Sequence, residues 1–300
     1  MINGKNKGKM KQIHRFVNTG LLLLTVAMAG CSGDGTEMPA TDADNRWEVA
    51  VSRNVTGGEY VTVALRYGGT VSSATLVPAD TEGGTATWLN ELKPQWPADE
   101  QTSVEAIAFC PVVDELPATV SAADGKAWLM DYKTCTSGSK PASFTLEHLM
   151  AQLEVHIQLH DDAEHHHRPE DAVVRLVPTA TVNYAGKKLE ADAVPGDFVL
   201  TAFDRENESY GSDENWVNTA QVVIPQTLAK GQPCLTFRAG DKTYTFVPEN
   251  DIELQAGQKT KLYLGVAYEN ATVALEGITI SPWNTGVTIE GTVNNPDNNS

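Results

Sequence analysis

Cysteine is scarce in this chain of 300 residues, with four in all. That is too few for a small fold stapled by disulfides. Basic residues are outnumbered: 22 Lys and Arg stand against 39 Asp and Glu, for a formal net charge of −17. So acidic a chain is poorly suited to nucleic acid or to an anionic membrane surface, since both are polyanions. Catalytic signatures are missing as well. There is no G-x-S-x-G, no H-E-x-x-H and no phosphate-binding P-loop. No glycosidase pair can be picked out from 39 scattered acids. No repeat of constant period is visible, which disfavours solenoids and propellers. These absences lead us to expect a non-enzymatic chain with no metal, no cofactor and no nucleic-acid partner. What is present is a composition 41% hydrophobic, with 24 Gly and 15 Pro. That is enough apolar material to bury a core in one large or two ordinary domains.

The N-terminus has a different character from the rest. Lys5, Lys7, Lys9, Lys11 and Arg15 precede an apolar run from Leu21 to Ala29, broken only by Thr25. A basic region, a short apolar region and small residues at its exit make a secretory signal. The run is too short to span a bilayer as a mature helix. Ala29-Gly30-Cys31 at its end resembles a bacterial lipobox, in which the cysteine is lipidated and becomes the first mature residue. Fatty-acyl chains contribute about 0.8 kcal/mol per buried CH2, so more than one chain gives stable anchoring. Loss of the signal removes five basic residues and leaves 17 basic against 39 acidic, a net charge of −22. Residues 32–45 are small, polar and acidic (Asp34, Glu37, Asp42, Asp44) with Gly33, Gly35 and Pro39, and read as a flexible tether.

From Arg46 onward, period-2 alternation dominates and long helical stripes are absent. Tyr60–Tyr67 is a strand bounded by Gly57-Gly58 and Gly68-Gly69. Val104–Val113 is a further β-type run. In Ala151–His160, Leu153, Val155, Ile157 and Leu159 point one way. Gln152, Glu154, His156, Gln158 and His160 point the other, which predicts one face in a core and one in water. Later runs are Val173–Val177, Phe198–Phe203, Gln221–Ile224, Leu235–Arg238, Thr243–Val247, Lys261–Tyr268 and Gly277–Ile280, with turns such as Ala239-Gly240-Asp241 between them. Many short strands at this spacing predict an all-β fold of antiparallel β-sandwiches. The expected division is a signal over 1–30, a tether over 31–45, an N-terminal sandwich over 46–143 and a C-terminal sandwich over 144–300. Thr136–Pro141 marks the boundary, and Thr145–Met150 reads as a short amphipathic turn opening the second half.

Several clusters invite a chemical reading. His165, His166 and His167 sit among acids between two strands, but neighbouring histidines on an irregular loop rarely converge on a tetrahedral zinc. A solvated hairpin loop is the expectation. The acidic run from Asp204 lacks the Gly and Glu of an EF-hand calcium loop, with Ser209 and Asn215 at those positions. Cys110 and Cys135 pair across the first domain, or else both join Cys234 as buried thiols. Trp47, Trp88, Trp96, Trp128, Trp216 and Trp283 read as core or rim residues before they read as sugar platforms.

In order and spacing, a set of segments resembles the fimbrillin-like lipoproteins of anaerobic gut and oral bacteria. They are the lipobox with its tether, Ala108-Phe109-Cys110-Pro111, Phe144–Leu153, Ile224-Pro225-Gln226-Thr227-Leu228, Leu254–Lys259 and Ile278–Trp283. The resemblance implies two transthyretin-like antiparallel β-sandwich domains and a structural, adhesive role in a surface pilus (fimbrium). Its implied partners are other pilus subunits, the cell outer membrane through a lipid on Cys31, and a ligand on a host or bacterial surface. It also implies proteolytic trimming after an arginine, followed by insertion of a strand from the neighbouring subunit. Arg46 sits where such trimming would act, or else is an ordinary exposed residue. Val287, Ile289 and Val293 alternate in a segment suited to be the donor strand. Two competing readings are a glycan-binding surface lipoprotein and a metal-dependent enzyme built on His165–His167.

Overall fold

Apolar alternation and Gly-rich turns lead the chain into strands almost throughout. The computed structural model describes residues 47, 49–53, 60–77, 86–141, 143–160, 167–205, 214–268, 270 and 272–283. No helix among them is long and apolar enough to cross a membrane. The first eight strands are β1 (Ala50–Arg53), β2 (Val61–Tyr67), β3 (Thr70–Val77), β4 (Thr87–Trp88), β5 (Ser103–Cys110), β6 (Thr119–Ser121), β7 (Leu129–Thr136) and β8 (Ser143–His148). All but β6 form one seven-stranded sheet, in the order β1-β8-β7-β5-β2-β3-β4. Gly68 and Gly69 join β2 to β3 with φ of 52° and 79°. Positive φ at both central residues matches the right-handed twist of a hairpin and suits glycine.

Six strands follow as β9 (Ala151–His160), β10 (Pro169–Leu176), β11 (Thr179–Asn183), β12 (Lys188–Ala191), β13 (Gly196–Val199) and β14 (Phe203–Arg205). Then come β15 (Glu214–Asn218), β16 (Gln221–Val223), β17 (Gln226–Leu228) and β18 (Leu235–Ala239). The last are β19 (Lys242–Phe246), β20 (Ile252–Leu254), β21 (Gln258–Ala267) and β22 (Thr272–Pro282). A six-stranded sheet runs β14-β15-β9-β21-β22, with β16 also on β9. A four-stranded sheet, β13-β10-β18-β19, packs against it. Their facing side chains make one core, including Leu153, Val155, Ile157, Leu262 and Leu264 against Val174, Leu235, Phe237 and Tyr244. This is a β-sandwich, as expected.

The centre of the seven-stranded sheet is buried on both faces. Val61, Val63, Leu65, Ala106, Ala108, Phe144 and Leu146 face one core. Ile107, Phe109 and Met130 face another, shared with Val120, Ala180, Val182, Leu189 and Ile224. Two-sided burial explains why Ala106–Cys110 is uninterrupted by polar residues. The second of these cores is roofed by a three-stranded sheet, β12-β11-β6, that draws strands from both halves of the sequence.

Three local expectations change. Residues 145–148 are not an amphipathic turn but part of β8, which pairs with both β7 and β1 in the first sheet. Phe198–Phe203 is divided between β13 and β14, which lie in different sheets. The polar face of β9 is not all in water: Glu154 and His156 are buried because β21 brings Lys259, Lys261 and Tyr263 alongside them.

Candidate assembly site

The first described residue is also one of the best packed. Trp47 is 4% exposed and Val49 is 2% exposed, both in the core lined by Val61, Phe144 and Leu146. The Trp47 indole N–H donates to the Pro141 carbonyl at 2.9 Å, and its own carbonyl accepts from the Trp88 indole at 3.2 Å. Its ring lies 5.4 Å from Trp88, 4.9 Å edge-on from Trp96 and 6.4 Å from Phe144. Burying one such ring removes about 150–250 Å² from water, worth roughly 4–6 kcal/mol at 25 cal/mol/Å². Immediately after this anchor, β1 pairs in parallel with β8, Ala50 opposite Ser143 and Arg53 opposite Leu146. Every other pairing in that sheet is antiparallel. The N-terminal segment is thus a short edge strand with an aromatic plug at its head, laid parallel onto a sheet whose other pairings are antiparallel.

Towards the other end of the described residues, β22 is 11 residues long, pairs with β21 and ends its sheet among those residues. Leu275, Ile278 and Ile280 are 37%, 42% and 51% exposed on it. Its exit is held by Trp283. That ring stacks on His148 of β8 at 4.2 Å and 8°, and the backbone N–H of Trp283 donates to the Gly257 carbonyl at 2.7 Å. An edge of this length presents backbone groups to any strand added beside it.

Cys31, Arg46, Val287, Ile289 and Val293 all lie outside the described residues. So do His165 and His166. His167 stacks on Tyr268 at 4.6 Å, and no group of three or more His, Cys, Asp or Glu suited to a metal occurs among the described residues. Among the described residues, Cys110, Cys135 and Cys234 form no disulfide. Register explains why the first two are not bridged: Cys110 stands opposite Leu129 and Cys135 opposite Val104, at opposite ends of the β5–β7 ladder. Six residues of strand separate them by about 20 Å, far beyond the roughly 7 Å limit for a disulfide. Among the tryptophans, Trp47 and Trp128 are buried, while Trp88, Trp96, Trp216 and Trp283 are half-buried against the cores.

Two polar clusters escaped the sequence reading. Glu154 accepts from Lys261 at 2.8 Å and lies 2.7 Å from the His156 ring nitrogen, with Lys259 at 3.4 Å. Burial alone would raise its pKa, but the hydrogen bonds from Lys261 and His156 and the lysine charges outweigh that and hold it below the ordinary value. Asp131, 1% exposed, is paired with Lys187 and accepts the Thr145 N–H at 2.9 Å. The available signal was a lone acid inside the apolar run Trp128–Tyr132.

A family model described as fimbrillin-like matches residues 49–283. A candidate cell adhesion protein of Bacteroides uniformis has a similar solved structure, with a TM-score of 0.54 and 13% identity, covering 80% of this chain and 99% of that one. A second, from Bacteroides ovatus, gives a TM-score of 0.50 and 12% identity, covering 81% and 98%. No curated protein matches the chain. With the match extending from Val49 to Trp283, the chain belongs to the fimbrillin-like family.

Proposed function

We propose that this chain is a structural, non-catalytic subunit of a cell-surface pilus, delivered to the outer membrane as a precursor lipidated on Cys31 and assembled by β-strand addition. The observation that carries this reading is the parallel seating of β1 on β8. A strand held on one edge by four register pairs and an aromatic plug can leave without breaking the ladders among the other six strands. The vacated edge then offers backbone hydrogen bonds to an incoming strand, and alternate side chains set its register. The division into two sandwiches falls, on this reading, between His148 and Ala151, where the chain passes from the first sheet to the six-stranded one.

Trimming after Arg46 would cut the tether immediately before Trp47. Trp47 and Val49 would stay in the core after such a cut. Strand exchange would therefore need the whole segment 47–53 to be displaced. The segment carrying Val287, Ile289 and Val293 is the proposed donor strand.

N-terminal sequencing of material released from assembled fibres should read from Trp47, and fibres still starting at Cys31 would count against trimming. Deletion from Gly286 onward should abolish polymerisation and leave a folded monomer. Unchanged polymerisation would exclude the C-terminal segment as donor.

A further inference from the structure

Beyond the roof of the third core, the seven-stranded sheet and the β11–β12 hairpin leave an open cleft of about 380 Å³. That size lies within the range of roughly 300–1,000 Å³ typical of small-molecule sites. Arg66, Glu105 and Tyr132, from β2, β5 and β7, line one side, and Asn183, Tyr184 and Glu190 line the other. Arg66 and Glu105 are register partners across β2 and β5.

Neighbouring contacts hold these groups in place. The Arg66 guanidinium lies 4.4 Å over the Tyr184 ring, whose hydroxyl donates to the Pro117 carbonyl at 2.6 Å. Burial first, and then the neighbouring Glu105 carboxylate, hold the Tyr132 hydroxyl above its ordinary pKa. Asn183 donates to Glu190 at 2.8 Å and accepts the Gly186 N–H at 2.8 Å. None of the six residues belongs to β1, β8 or β22.

The chemistry of the lining selects among ligands. Arg66 and Glu105 carry opposite charges side by side, and Glu190 is met by Lys188 at 3.3 Å, so the cleft has no excess positive charge to hold a phosphate or a uronate. A wholly apolar ligand would strand these charges without partners. A sugar hydroxyl both donates and accepts, so it can give to Glu105 or Glu190 and take from Arg66 or Asn183. The half-buried Tyr132 adds an aromatic surface for the C–H side of a pyranose ring. We infer that this cleft binds a neutral saccharide residue, with Glu105 and Glu190 accepting from its hydroxyls and Arg66 donating to them.

The test is saturation-transfer NMR on the purified full chain with glucose, galactose, mannose and N-acetylglucosamine, alongside glucuronate and inorganic phosphate. At least one neutral sugar should receive saturation. Its affinity should fall about tenfold or more in Glu190→Ala and in Glu105→Gln, the size expected for losing a hydrogen bond to a charged group. Glu190 is exposed, so its replacement leaves the fold intact and keeps the test decisive if the second variant does not fold. No transfer to any neutral sugar, or undiminished binding in the variants, would overturn the site. Preference for glucuronate or phosphate would overturn the ligand class. Either failure leaves strand addition standing, because polymerisation depends on other residues.

Discussion

Asp131 on β7 meets Lys187, which arrives from the turn joining β11 to β12. Lys133 stands 3.9 Å away on the same carboxylate, and the N–H groups of Tyr132 and Thr145 donate to its two oxygens. This pair links the seven-stranded sheet to the three-stranded roof by charge, where the third core links them by apolar contact. Asp131→Ala should cost about 3–5 kcal/mol, because it removes one member of a buried pair and strands the other groups. Lys187→Ala should cost less, roughly 1–3 kcal/mol, since Lys187 is partly exposed and Lys133 remains. Urea midpoints of the two variants check the order, and equal or negligible losses would contradict it.

Trp47→Ala should destabilise the body by about 3–5 kcal/mol, as expected for truncating a buried aromatic. The variant should also show reduced protection of the β8 amides in hydrogen exchange, because β1 loses its plug. Wild-type protection at β8 would mean that β1 is held by its backbone pairing alone.

Glu154 makes the fold acid-sensitive in a defined direction. Its carboxyl titrates below the ordinary glutamate value of about 4.3, so the unfolded chain takes up its proton more readily than the folded one. The stability it lends is complete above that pH and is lost as pH falls through the folded value. Denaturation curves taken at successively lower pH should lose stability less steeply in Glu154→Gln than in the wild type. Parallel acid limbs for the two proteins would refute this.

The three body cysteines should all react with a thiol reagent once the chain is unfolded without reductant. In the folded state Cys234 should resist alkylation at about pH 8, where an ordinary thiol reacts, because burial pushes its pKa up to about 12. Cys110, with no exposed surface, should resist as well. Fewer than three thiols in the unfolded, unreduced chain would reveal a bridge and contradict this expectation.

Gly240, in the turn between β18 and β19, combines a φ of +60° with close neighbours. An added Cβ would stand 2.6 Å from His167 Cδ2 and 2.7 Å from the Tyr268 hydroxyl. Gly231 has a similar φ of +72° but nothing within 4 Å of the same position. Gly231→Ala should cost on the order of 1 kcal/mol for backbone strain. Gly240→Ala should cost clearly more, and thermal melts of the two variants isolate the clash.

What could be read along the chain was mostly what is local. Leu153, Val155, Ile157 and Leu159 announce a buried face because a strand alternates with period two. Gly68-Gly69 and Gly240-Asp241 announce turns because left-handed backbone favours glycine. The burial of Glu154 was not legible, since it depends on two lysines more than 100 residues away. Nor was the seat of Trp47, which needs Pro141 and Phe144, more than 90 residues further along the chain. The cleft was equally hidden, for Arg66 and Glu190 share no segment of sequence. Pairing partners are set by topology, and a single strand carries no mark of its neighbour.

The central strands of the six-stranded sheet are parallel, Gln152 opposite Lys259 and His160 opposite Ala267, a constant separation of 107 residues. A ladder of that span closes a long loop before any of its contacts form. On a chain emerging N-terminus first, β9 therefore stays without one of its two flanking partners until nearly the last strand is available. The seven-stranded sheet needs nothing beyond His148 for its own ladders. The order of synthesis thus builds in a delay: one sheet can assemble early, while the sandwich that contains β21 and β22 is completed only at the end.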